Sequence, residues 1–295
     1  MFDFLIATLT VAGIYGLMAL GLNLQAGVAG LLNFGHIAFA GMGAYGTAIA
    51  YAAGWPPLTG AAGGVLAAMA LGWCMARLGS QLAADYWGIA TLAIAEILRT
   101  IATNEDWLTG GANGIPGIPS LFDSWGRPWS ALGFLILVLV VLAAFALLAR
   151  RLANGRFGRA LRLMREEPQL AVCMGYNLRR LKSNAIMTGA AVTALAGSLY
   201  AQYMSFAGPD YMLSAETFLL WTMLMIGGLG NTAGVLAGVV LVQAAYALVP
   251  FAKDYLHFST DLAGALRLGL IGAILLGCLL WRTQGLIPEK LRKIP

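Results

Sequence analysis

The sequence FLIATLTVAGIYGLMALGLNLQAGVAGLLNFGH, residues 4–36, decides the class of fold. It opens a stretch between Asp3 and Arg77 that contains no Asp, Glu, Lys or Arg. A helix needs about 20 apolar residues to cross about 30 Å of hydrocarbon, so this stretch has room for three crossings and their links. We predict these crossings, separated by a turn at the Pro56-Pro57 pair, near Phe4–Leu24, Ile37–Ala53 and Leu58–Ala76.

The rest of the chain has the same apolar character. Hydrophobic residues make up 60% of its 295 residues and charged residues only 11%, whereas soluble proteins carry roughly 25% charged residues. This composition excludes a soluble enzyme and a disordered chain. Six further crossings are predicted near Tyr86–Ala102, Ala131–Ala149, Asn184–Ser205, Glu216–Gly228, Ala233–Val249 and Gly264–Trp281.

The predicted fold is therefore all-α, a polytopic membrane protein of about nine transmembrane helices in a single domain, residues 1–295. The seventh crossing is short and ends in the sequence GGLGN at residues 227–231. Glycines of this density interrupt helices, so we expect at least one broken or re-entrant segment.

Basic residues predict the orientation. Nine of the 18 lie between Arg150 and Lys182, and four more lie in the tail from Arg282 to Lys293. Cytoplasmic loops of membrane proteins carry an excess of Lys and Arg, which places this loop and the C-terminus in the cytoplasm and the N-terminus outside. The same bias accounts for the net charge of +5 without nucleic-acid binding.

No motif for catalysis, metal binding or nucleotide hydrolysis is found. Cys74, Cys173 and Cys278 are widely separated, and the sequence lacks a P-loop. His36 and His257 belong to different loops. We therefore expect no catalytic residue, no metal site and no cofactor in this chain.

Polar residues in apolar surroundings are the candidate pathway residues. Asn23, Gln25, Asn33 and His36 fall in a glycine-broken apolar segment, and Glu96 lies one helical turn from Arg99. Polar groups at membrane depth need partners or a cavity. The four polar residues are interpreted equally well as lining a translocation pathway or as bonding between helices. Glu96 is interpreted as a pathway element or as half of a structural ion pair.

The cytoplasmic loop, at about residues 150–183, is the most informative segment. Arginines recur every three residues from Arg156 to Arg165. Acids before Pro168 and a glycine at Gly175 predict a short helix, Pro168–Met174. Its apolar face would carry Leu170, Cys173 and Met174. Such a helix suits docking into a groove on a partner or lying on anionic lipid.

Several motifs resemble the branched-chain amino-acid permease family of ABC importers. The segment GRALRLMREEPQLA at residues 158–171, with Gly175, resembles the coupling loop of ABC-importer permeases. The segments ALGLNLQ at 19–25, NFGH at 33–36, LTGG at 108–111, GIPGIP at 114–119, AGSLY at 196–200 and GGLG at 227–230 are similar to the family. The resemblance runs from about Ile14 to Leu241 and points to the M-type subunit rather than the H-type.

This resemblance implies an inner-membrane subunit that works with four partners. They are a second permease, two ATPases that bind ATP and Mg, and an extracytoplasmic substrate-binding protein. The implied cargo is a branched-chain or other small neutral amino acid, with urea, amides or aromatic acids as alternatives. The implied coupling residues are Arg165, Glu166, Glu167, Pro168, Leu170, Ala171, Cys173, Met174 and Gly175.

The alternative to an ABC importer, from another class of transporter, is an ion-coupled secondary transporter. Such a protein needs intramembrane carboxylates as coupling sites, and in the sequence only Glu96 is well placed for that role. ATP dependence of uptake separates the two classes.

Overall fold

The computed structural model of the protein describes residues 2–79, 82–126 and 128–256, together with 264–266, 269, 272–274, 276–277, 280 and 285–289. The ninth predicted crossing, Gly264–Trp281, lies largely outside the described residues, as do Cys278 and the basic residues of the tail.

The described chain is built from eleven α-helices. In chain order they are α1 (Phe2–Asn23), α2 (Ile37–Ala52), α3 (Pro57–Leu78), α4 (Ala84–Asn104), α5 (Asp106–Thr109), α6 (Trp129–Asn154), α7 (Arg156–Glu166), α8 (Pro168–Cys173), α9 (Leu178–Met204), α10 (Ser214–Gly227) and α11 (Thr232–Leu256). A π-helical turn, Leu24–Val28, continues α1, and 3₁₀ turns lie at Gly111–Asn113, Asp123–Trp125 and Pro209–Met212.

The first eight predicted crossings each coincide with one of these helices. Four described segments are long and apolar enough to span a membrane, namely Phe2–Val28, Pro57–Leu78, Trp129–Asn154 and Thr232–Val249. Helices α2 and α10 are apolar but shorter. The sixth predicted crossing began at Asn184, but α9 begins at Leu178. Hydropathy marks where the bilayer ends, whereas a helix can continue beyond it on residues with basic side chains.

Small residues bring the central helices together. Helix α2 packs between α3 and α9, and α1 packs on α6, α9 and α11. A Cβ atom added at Gly43 would overlap the carbonyl of Ala194, and one at Gly197 would overlap the carbonyl of Ala40. In lipid, helices associate through such close backbone approach because no hydrophobic effect drives them together.

A short two-stranded ladder ties the glycine-rich loop after α5 to the end of α9. Strand β1 (Ile115–Pro116) pairs antiparallel with β2 (Phe206–Ala207), and the Gly117 N–H donates to the Ser205 carbonyl at 2.9 Å. Glycines 110, 111, 114 and 117 have φ between 59° and 81°, a region that favours glycine. This loop is therefore ordered by glycine turns and by the ladder rather than by a long helix.

Candidate functional site

The first helix breaks at the π-helical turn, and the break is held by side-chain hydrogen bonds. Asn23 Oδ1 accepts from the Gly230 N–H at 2.9 Å, in the turn between α10 and α11. A Cβ at Gly27 would overlap both of these groups. The chain then turns at Gly30, whose φ is 70°. The chain therefore leaves its helix in the glycine-rich segment that the sequence singled out, and the geometry of this turn depends on contacts that glycine alone permits. A broken or re-entrant crossing stays a prediction.

Beyond the break, two amides form a buried pair. Asn33 Nδ2 donates to Gln25 Oε1 at 2.9 Å, and Gln25 Nε2 donates to the Ile186 carbonyl of α9 at 3.1 Å. Asn33 Oδ1 also accepts from the Gly35 N–H at 2.9 Å. Both side chains are fully buried. The amides thus satisfy each other and the backbone inside the protein.

His36 is also fully buried, and its Nε2 atom lies 2.7 Å from Thr193 Oγ1 and 3.2 Å from the Met18 carbonyl. Its Nδ1 atom has no hydrogen-bond partner among the residues that the structure describes. The ring packs edge-on against Phe39. Together with the two amides, His36 connects α1, α2 and α9. We call the four residues Asn23, Gln25, Asn33 and His36 the break network. A role for the network in translocation stays a prediction.

Glu96 lies apart from the break network. It forms an ion pair with Arg99 one turn further along α4, and the two side chains are 47% and 28% exposed. No hydrogen bond or ion pair in the described part of the chain connects Glu96 to another helix. Its exposure makes Glu96 a weaker candidate for a buried coupling carboxylate than the sequence suggested.

The predicted cytoplasmic helix is present as α8, one residue shorter than predicted. It ends at Cys173, and Gly175 has a φ of 82° with open space around the position of an added Cβ. Only Ala171 of this helix is buried, and it anchors α8 to the body of the protein. The predicted apolar face is exposed: Leu170 by 50% and Met174 by 66%, with Cys173 exposed beside them.

Helix α7, which precedes α8, was not predicted. It buries Gly158, Ala160, Leu161 and Met164, while its arginines lie on the other faces. The spacing of Ala160, Leu161 and Met164 was the signal that could have identified it. The basic loop is therefore folded into two helices that rest against the membrane-spanning part.

Two arginines of α7 converge on one carboxylate, Glu289, near the C-terminus. Arg162 Nε lies 2.6 Å from Glu289 Oε1, and Arg165 Nη2 lies 3.0 Å from Glu289 Oε2. Arg165 Nη1 also donates to the Gly27 carbonyl in the π-helical turn. We call these three side chains the arginine clasp. It connects the cytoplasmic loop, the tail and the break in α1.

A second carboxylate, Glu216, lies in the first turn of α10, at the start of the seventh predicted crossing. Its Oε2 atom accepts from Tyr15 Oη at 2.6 Å, across the interface of α10 and α1. Glu216 lines a cavity of about 50 Å³ together with Tyr200 and Tyr211. The sequence analysis treated Glu216 only as the start of a crossing. Its position as the one acid in the apolar segment 214–227 was the available signal.

No group of three or more His, Cys, Asp or Glu side chains that could hold a metal ion occurs among the residues that the structure describes. The polar groups in that part of the chain are arranged to bridge helices and to line small cavities.

These features define the class: an α-helical membrane protein whose first helix ends in a π-helical turn and whose basic loop is folded into two helices. The sequence model of the family described as "Branched-chain amino acid transport system / permease component" matches residues 4–279. The chain belongs to this family.

Curated relatives agree. The chain is 31% identical to the Escherichia coli K12 "High-affinity branched-chain amino acid transport system permease protein LivM", covering 96% of this chain and 69% of that protein. It is 29% identical to the "Probable branched-chain amino acid transport permease protein LivM" of Methanocaldococcus jannaschii, covering 94% and 91%. It is 26% identical to E. coli K12 LivH, covering 90% of each chain. The family prediction is confirmed.

Proposed function

We propose that this chain is a permease subunit of a binding-protein-dependent ABC importer. It forms half of a pathway for branched-chain or other small neutral amino acids in the bacterial inner membrane. The observation that carries the proposal is helix α8, which presents Leu170 and Met174 to the outside of the protein while Ala171 holds it in place. An exposed apolar surface on a fixed helix is typical of a docking site.

The arginine clasp supports a mechanical role for the same loop. Arg165 is the last basic residue before α8, and it contacts both Glu289 and the Gly27 carbonyl. A displacement of α8 by a partner ATPase would be transmitted through Arg165 to the break in α1. From there it would reach the break network, which connects α1 to α9 and to the turn after α10.

The residues proposed to couple to the ATPase run from Arg165 to Gly175. Glu167 immediately precedes the helix and complements its dipole, and Pro168 starts it. The proposed pathway residues are Asn23, Gln25, Asn33 and His36. The exposed ion pair with Arg99 favours the structural interpretation of Glu96, the fifth predicted pathway residue. The chain itself carries no catalytic site, and ATP and Mg belong to the partner ATPases.

The proposed topology has nine crossings, with the N-terminus outside and the C-terminus in the cytoplasm. The arginine clasp supports it, because a contact between the tail and α7 requires both to lie on the same side of the membrane. A cysteine at Asn154 should react with a membrane-impermeant thiol reagent only from the cytoplasmic side, and a cysteine at Asn113 only from outside. Reaction of both from one side would contradict this topology.

The proposed partners are a second homologous permease, two ATPases and an extracytoplasmic binding protein. The test is uptake of radiolabelled leucine into proteoliposomes that contain the full complex. We expect uptake to require ATP inside the liposomes together with the binding protein, and to be insensitive to ionophores. Uptake driven by an ion gradient without ATP would identify a secondary transporter instead.

A further inference from the structure

Helices α1, α2, α9 and α10 enclose the cavity of about 50 Å³, which belongs to neither the arginine clasp nor the break network. Its polar lining consists of Tyr15, Tyr200, Asp210, Tyr211 and Glu216. A water molecule needs roughly 10–15 Å³ of such volume, so the cavity can hold a small polar group but not a whole leucine. We call it the acidic cavity.

The charge of Glu216 has no counterion in the described part of the chain. Its hydrogen-bond partner is the neutral hydroxyl of Tyr15, and none of the described Lys or Arg side chains forms an ion pair with it. Arg99, on α4, is paired with Glu96. A charged carboxylate that is partly removed from water and has no cation beside it is costly, and charged residues in membrane segments commonly mark the path of a ligand or ion. A cationic ligand at Glu216 would offset this cost.

Aromatic side chains line the same cavity. Tyr15 and Tyr200 meet edge to face at 6.3 Å between ring centroids, and Tyr200 and Tyr211 do so at 4.8 Å. The faces of such rings attract organic cations, and ammonium groups are typically recognised by several rings together with a carboxylate. Asp210 lines the same cavity and is exposed, and Glu216 is half-buried, so the cavity carries two acidic groups.

We propose that the acidic cavity binds the ammonium group of the transported solute, with Glu216 as its counterion. This inference rests on the proposed function and narrows its substrate class. A solute with a primary ammonium group gains a counterion and aromatic faces. Urea and simple amides offer no positive charge, and an aromatic acid without an amine brings a second negative charge toward Glu216. The site therefore favours amino acids over the other solutes considered for this family.

The test compares Glu216→Gln with Tyr15→Phe in the full complex, measuring ATP-driven uptake of leucine at saturating binding protein. Glu216→Gln keeps an oxygen that accepts from Tyr15 but removes the charge, whereas Tyr15→Phe removes the hydrogen bond and keeps the charge. We expect Glu216→Gln to lower uptake by about tenfold or more, and Tyr15→Phe to lower it by less than about threefold, because the charge binds the cation. Glu216→Asp, which keeps the charge, should retain most uptake, and the matched control Glu105→Gln, on the same side, should be unaffected.

The outcomes separate the two proposals. Uptake by an assembled Glu216→Gln complex within twofold of the unaltered complex would overturn the ammonium site and leave the importer intact. Equal loss in Glu216→Gln and Tyr15→Phe, or loss of assembly in both and in Glu216→Asp, would assign Glu216 a purely structural role and also overturn it. Uptake that depends on external sodium or potassium would assign the cavity to an inorganic cation. Absence of ATP-driven uptake in the unaltered complex would instead remove the proposed function.

Discussion

Two carboxylates that are largely removed from solvent, Glu289 and Glu216, differ in what surrounds them. Glu289 lies between Arg162 and Arg165 and is 15% exposed, so its charge is neutralised inside the protein. Glu216 has one hydroxyl partner and no cation among the described residues. A neutralised carboxylate can fix two segments to each other. An unneutralised one is kept at a cost that a ligand can offset. The comparison separates a structural ion-pair site from a proposed binding site within one chain.

The largest effect on stability is expected for Glu289→Gln, which leaves Arg162 without its counterion and Arg165 with only the exposed Glu166. Removing one partner of a partly buried ion pair costs about 2–4 kcal/mol. The melting temperature of the purified permease should fall by several degrees. Glu166→Gln is the control, because Glu166 is 53% exposed beside the same Arg165 and should contribute less than about 1 kcal/mol. Equal shifts for the two variants would show that the clasp does not stabilise the fold.

A smaller loss of stability is expected for Asn33→Leu in the uncharged break network. The substitution leaves Gln25 Oε1 and the Gly35 N–H without partners in a buried site, at a cost of about 1–3 kcal/mol. Leucine uptake should fall while the complex still assembles, as measured by co-purification of the ATPases. Loss of assembly in proportion to loss of uptake would restrict the network to a structural role.

Glu216→Gln is expected to leave the melting temperature unchanged or to raise it slightly, because it removes an uncompensated charge and keeps the hydrogen bond to Tyr15. This result would sharpen the contrast with Glu289→Gln, since two similar substitutions would then have opposite effects on stability. A fall as large as that of Glu289→Gln would contradict the comparison and indicate that Glu216 stabilises the interface of α1 and α10.

The smallest effect is expected for Glu96→Gln. The Glu96 side chain is 47% exposed and that of its partner Arg99 is 28% exposed. Exposed ion pairs three positions apart on a helix contribute about 0.5 kcal/mol or less to stability. Both uptake and melting temperature should stay close to those of the unaltered protein. A tenfold loss of uptake would restore Glu96 as a pathway residue.

These sites also show which structural features could be predicted from the sequence. The eight crossings that coincide with helices follow from local information, because a long apolar stretch with few charged residues is sufficient to indicate a span. Helix α8 could also be predicted from the local sequence, because Pro168 and Gly175 mark its two ends. The glycine-broken segment around Gln25 was found for the same reason.

The remaining features depend on residues that are distant in sequence. Glu289 meets Arg162 across 127 positions, and Glu216 meets Tyr15 across 201. Periodicity and hydropathy contain no information about such pairs. Glu96 looked buried because its neighbours are apolar, although the helix turns it toward the outside. The burial of individual polar residues within a span therefore required the packing of the helices.

The most direct test of the central claim concerns α8 as the coupling element. The measurement is ATP hydrolysis, stimulated by binding protein with leucine, of the full complex in nanodiscs. The variants Gly175→Val and Glu167→Lys are compared with Gly54→Val. Gly175 and Gly54 have φ of 82° and 78° with open space around an added Cβ, so valine costs each about 1–2 kcal/mol. We expect Gly175→Val and Glu167→Lys to abolish the stimulation and Gly54→Val to preserve it. Full stimulation with ATPases bound in all three variants would contradict the assignment of α8 as the coupling helix.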